Sequence, residues 1–172
     1  DHQLQRANHY VFPLQAGFYI SWSDPHPVKA DAGTAAGLAA DTAALLYQQL
    51  AAHFPRVELA ASAQTPELAR VAAVRQHLEY LIYPRVLLLH DSVGSGRSMA
   101  YASGTTGMQP ATGLAQDRAE LQLTVVEAVT GRIVDVVNLD SASGLFAMPG
   151  RSPRQLLQSA LDRYVVSIFP RS

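Results

Sequence analysis

Apolar residues recur along the chain at two periods, and the switches between them mark its elements. From about Thr34 to Phe54, Leu38, Leu45, Leu46, Leu50 and Phe54 fall at i, i+7, i+8, i+12 and i+16, one stripe of an amphipathic helix. Pro55 stops it, and Arg56–Ala60 reads as a strand. A short β-rich run, Gly17–Trp22, precedes that helix and ends at Asp24-Pro25-His26-Pro27. Thr65-Pro66-Glu67 starts a second helix, to about His77, with a capping hydroxyl, proline at the first helical position and a first-turn carboxylate. Tyr80–His90 is the longest apolar stretch and is expected as a central strand, with Pro84 marking an edge face or a bulge. Residues 92–116 carry five glycines and no period, and read as a long mobile loop.

Period two returns in Glu120–Val125, where polar and apolar residues alternate as in a half-buried strand. Val129-Thr130-Gly131-Arg132 supplies a turn, and Ile133–Leu139 comes back as the hairpin partner. Ser152-Pro153-Arg154-Gln155 is a capping box opening a helix to about Phe169, with Leu157, Leu161, Tyr164, Val165 and Ile168 as its buried stripe. Residues 1–16 have no steady period and carry Pro13, so an extended leader is expected ahead of a single domain over 17–170. The expected fold is α+β, in the order β-α-β-α-β-β-β-α. One mainly antiparallel sheet of four to five strands should carry the 34–54 and 152–169 helices on the same face.

Composition narrows the function. With 172 residues the chain can bury a sizeable core without disulfides or a structural metal. Thirteen basic against fourteen acidic residues, a net charge of −1, argue against a nucleic-acid binder held by phosphate contacts. Cysteine is absent, which removes disulfide scaffolds, Cys-ligated zinc and a thiol nucleophile. The chain opens Asp1-His2-Gln3-Leu4 without Met, as a mature or trimmed product would.

Candidate chemistry is sparse. The six histidines, His2, His9, His26, His53, His77 and His90, form no HxH or HxxxH pair, so no metal site is expected. Gly94-Ser95-Gly96-Arg97-Ser98 lacks the lysine and following helix of a phosphate loop, and no GxGxxG follows the first strand. GxSxG and SxxK are missing too. His90-Asp91-Ser92 are adjacent, so a strand points them to alternate faces. Asp135 and Asp140 on one hairpin strand, and Glu120 and Glu127 on the other, could pair as glycosidase carboxylates do, but read as ordinary polar positions on an exposed strand face. No catalytic residue and no cofactor is therefore expected. Phe146 and Met148, in a Gly/Pro-bounded apolar loop, join Met108 in the long loop and Trp22 at the end of the first strand as candidate partner contacts.

The hairpin Leu121–Val134 (LQLTVVEAVTGRIV) resembles that of small Gram-negative envelope lipoproteins, among them a pseudomonad family. Tyr80-Leu81-Ile82-Tyr83-Pro84, Ser152–Leu157 and Tyr164–Phe169 resemble the same family. It is distantly similar to the Pel polysaccharide-export lipoprotein C, the curli secretion lipoprotein G and the TolB N-terminal domain. Glu127 stands where the family carries Asp, and the 92–116 loop is longer than the relatives' and lacks their Trp-containing stretch. The resemblance implies a periplasmic, outer-membrane-anchored domain whose lipidated Cys preceded Asp1. It further implies a non-catalytic accessory of an export or assembly machine, with an envelope protein as partner and some relatives forming rings. The auxiliary lipoproteins of ABC-type lipid transport systems are the alternative, sharing an alanine-rich first helix that ends near Leu50–Pro55. A small periplasmic hydrolase stands third.

Overall fold

The computed structural model describes residues 2–23, 32–90, 118–142 and 153–170. In chain order it contains β1 (His2–Arg6), β2 (Gly17–Ile20), α1 (Ala32–Ala51), β3 (Arg56–Leu59), α2 (Pro66–Arg75), β4 (Tyr80–His90), β5 (Arg118–Glu127), β6 (Ile133–Ala142) and α3 (Pro153–Ile168). The strands lie in the order β1-β6-β5-β4-β2-β3. The pairs β1–β6, β6–β5 and β5–β4 are antiparallel, whereas β2 runs parallel to both β3 and β4.

The α+β class and the element order from Gly17 onward are those expected from the sequence. The strand count is a correction: six, not four to five. Residues 2–6, assigned to the extended leader, pair with β6 from His2↔Ser141 to Arg6↔Val137. The segment HQLQR has one apolar residue, so its strand character comes from the partner it pairs with and not from its own pattern.

Alternation along the strands sorts the helices onto two faces. Phe18 and Ile20 of β2 join Leu46 and Leu50 of α1 and Leu161 and Tyr164 of α3 in the main core. Tyr19, between them, faces the opposite way, into a smaller core with Ala69 and Ala73 of α2. So α1 and α3 share one face, as expected, and α2 lies alone on the other among the described residues.

Local signals account for the element ends. Thr65 caps α2, its hydroxyl accepting from the Leu68 amide at 3.3 Å, with Pro66 at the first helical position. His77, just past α2, takes a left-handed φ of 56°, and Gly131 in the hairpin turn takes +73°. Pro84 resolves to the edge reading: β2 reaches only Ile82 of β4, so the missing amide at Pro84 interrupts no ladder on that side. The irregularity of β4 comes two residues later, between Val86 and Leu88. Ser152 and the side chains of Leu38 and Gln155 lie outside the described residues.

Candidate functional site

The most concentrated polar chemistry sits where β1 meets β6 and the end of α3. Asp135, read from the sequence as an exposed strand position, is fully buried. It is in phase with Val137 and Leu139, which point into the main core, so period two carries its carboxylate inward as well. A bulge between Val125 and Val126 of β5 leaves Val134 as the extra residue, and it too packs inward.

The buried carboxylate is answered by Arg6 of β1, whose side chain is 5% exposed. Arg6 Nε donates to Asp135 Oδ2 at 2.8 Å, and the Asn8 amide donates to Oδ1 at 2.9 Å. The other guanidinium nitrogens donate to the carbonyls of Tyr10, at 2.7 Å, and Ser167, at 3.3 Å. Asn8 Nδ2 donates to the Val134 carbonyl at 2.8 Å. These bonds engage both ends of the ion pair, which is the condition for a buried pair to be tolerated. Arg6 therefore ties three segments together: the chain after β1, strand β6 and the last turn of α3. Asp135 holds structure here, and a glycosidase-like role does not fit its surroundings.

The remaining carboxylate candidates fall at two places, the hairpin turn and the far end of its strands. Glu127 accepts from the Thr130 hydroxyl in the hairpin turn and lies 3.8 Å from Arg132. Glu120 and Asp140 are backbone partners across β5 and β6, but the side chain of Glu120 lies outside the described residues. Among the described residues no group of three or more His, Asp or Glu could hold a metal ion. His53 packs its ring 5.0 Å from that of Phe169, His77 lies just past α2 in a left-handed conformation and His9 is exposed.

Glu79, just ahead of β4, is a carboxylate that sequence reasoning did not single out. Burial pushes its carboxyl up, but the Gly17 amide at 2.6 Å and the Arg56 guanidinium at 2.9 Å outweigh this and leave it below the usual value. A lowered folded-state pKa gives stability that is present above about pH 4.5 and is lost as pH falls through the folded value. Glu79→Gln should therefore flatten the loss of urea stability below pH 4.5, and an unchanged acid limb would contradict this. Tyr80 is pushed above the ordinary phenol range, first by burial and then by its 3.4 Å contact with Tyr10 and by Glu127, so it stays neutral. Burial does the same to Tyr164.

Beside Arg6 a groove of about 440 Å³ opens, lined by Leu4, Arg6, His9, Val11, Ser167 and Phe169. With all its nitrogens engaged, Arg6 forms part of the groove wall. Trp22 is half-buried and packs against both cores, and its carbonyl accepts from the Gln64 amide at 2.8 Å. The other candidate contacts, Met108, Phe146 and Met148, lie outside the described residues. The strand ends bounding their segments share one end of the sheet, since His90 pairs with Arg118 and Arg118 with Ala142. No helix among the described residues is long and apolar enough to cross a membrane.

A family model described as Domain of unknown function (DUF4823) matches residues 13–168. The chain belongs to this family. No curated protein matches it. Among solved structures, the DUF4823 chain is similar to a PelC dodecamer from Paraburkholderia phytofirmans, with a TM-score of 0.64 at 11% identity over 100% of both chains. A single-substitution variant of that dodecamer gives 0.63 at 11% identity, covering 99% of this chain and 100% of the other. A hypothetical protein from Chlamydia trachomatis is weaker, at 0.46 and 10% identity over 88% and 94% of the two chains, and carries no argument. At these identities the likeness is one of fold. It agrees with the distant resemblance to the Pel export lipoprotein read from the hairpin. The family match begins at residue 13, so β1 and Arg6 lie ahead of it.

Proposed function

We propose that this DUF4823 chain is a non-catalytic periplasmic lipoprotein domain, held at the outer membrane by an N-terminal lipid. It serves as an accessory or scaffold of an envelope export or assembly machine, acting by protein–protein contact in a multi-copy assembly. One observation carries the reading: the fold corresponds over both whole chains to PelC, whose solved structures are dodecamers. The fate of the carboxylates supports it, since Asp135 is spent on a structural ion pair and Glu127 on a turn. A net charge of −1 provides little long-range steering, so specificity rests on apolar and hydrogen-bonded contact.

Fractionation of cells fed a labelled fatty acid tests the anchoring. The label should travel with the protein into outer-membrane fractions. An unlabelled protein in the soluble fraction would contradict the lipoprotein assignment.

A further inference from the structure

Helix α2 is built the wrong way round for a helix that only covers a sheet. The residues it buries are alanines, Ala69 and Ala73, whereas its larger apolar residues face water: Leu68 at 61%, Val71 at 44% and Val74 at 42% exposure. Spaced at i, i+3 and i+6, these three form one ridge along the outer surface. Unlike apolar residues scattered singly over a surface, a contiguous aliphatic ridge of this kind is a candidate contact surface.

A concave apolar surface lies elsewhere on the same chain. The groove beside Arg6 offers Leu4, Val11 and Phe169, and Val166, in the same turn as Ser167, is exposed. Ridge and groove occupy opposite faces of the sheet and differ in place across it. The ridge stands over β2 and β4, toward the β3 edge, and the groove opens at the β1 edge on the α1/α3 face. A convex surface and a concave one on opposite sides of one molecule make a head-to-tail contact that each added copy can repeat, and a fixed rotation per copy closes it into a ring.

We propose that the Leu68–Val71–Val74 ridge of one copy seats in the Leu4–Val11–Phe169 groove of a second copy, by the helix-in-groove mode. The occupant is argued from the chain itself. Leu68 to Val71 and Val71 to Val74 are each an i, i+3 step, one of the anchor spacings of this mode, the groove is concave and largely apolar, and a net charge of −1 leaves little repulsion between copies. Arg6 does not stand in the groove as an uncompensated charge, because Asp135 neutralises it. The proposal rests on the multi-copy reading above and adds the surfaces that would carry it.

Sedimentation velocity on Val71→Asp, Val11→Asp and an equal mixture of the two tests the proposal. Both residues are exposed, so unchanged thermal melting should show that each variant folds; Leu68→Asp repeats the ridge variant. With the wild type sedimenting as a multi-copy particle, each variant alone should be a monomer. The mixture should form a two-chain species and nothing larger, because one intact ridge meets one intact groove and both outer ends are blocked. Assembly retained by Val11→Asp but lost by Val71→Asp would mean a ridge-to-ridge contact and would overturn the head-to-tail geometry. Assembly retained by both variants would overturn the surfaces and leave the multi-copy reading standing. A monomeric wild type would overturn both.

Discussion

Asp135→Ala is expected to cost about 3–5 kcal/mol of folding stability, read as a lower urea midpoint and a melting temperature down by roughly 10 °C or more. The loss comes less from the attraction removed than from what is left behind. Arg6 would remain buried against Tyr164, its guanidinium 6.0 Å from the ring centroid, with no anion to answer it. The Asn8 amide would lose its acceptor at the same time. The double variant Arg6→Met/Asp135→Leu removes both charges and should be markedly less destabilised than Asp135→Ala alone. If Asp135→Ala melts like the wild type, the Arg6–Asp135 pair does not hold these segments together. A variant that keeps its stability and loses cellular function would instead return Asp135 to chemistry.

The second large effect is expected at Phe12. Its ring is fully buried, packed edge-on against Phe18 and Tyr80 at 5.1 and 4.7 Å between centroids, and its amide donates to the Ile168 carbonyl at 3.0 Å. Phe12→Ala should cost about 3–5 kcal/mol, because it removes a large side chain and leaves a cavity beneath α1 and α3. Phe12 lies one residue ahead of the span matched by the family, so a shift near zero would make residues 2–12 an ornament on a self-sufficient core. Leu46→Ala in α1 is the comparison, in the same core but inside the matched span.

Both predictions turn on a residue of the segment that the sequence describes least well, Arg6 in the first and Phe12 in the second, and for a physical reason. The three helices and the β5–β6 hairpin are legible because their signals are local: an apolar stripe, the Thr65-Pro66 start, a glycine in the turn. The identity of β1 is not local. HQLQR becomes a strand only through pairing with a partner more than a hundred residues away, and no period within five residues records that. Asp135 was partly legible. A carboxylate in phase with Val137 and Leu139 is either a break in the strand or a buried charge that demands a cation. Arg6 could not be matched to it without the β1–β6 register. The groove was illegible for the same reason, since its walls come from β1, the segment after it and the end of α3. The ridge on α2 could have been read, because Leu68, Val71 and Val74 recur at helical spacing opposite a face of alanines.

The proposed role as a contact protein working in several copies is tested most directly by the mass of the native particle. Detergent extraction of envelope membranes, followed by single-particle mass measurement, should find this chain in an assembly many times its own 18.5 kDa, together with an envelope protein. Recovery of the chain as an 18.5 kDa monomer, free of any partner, would contradict the proposed role.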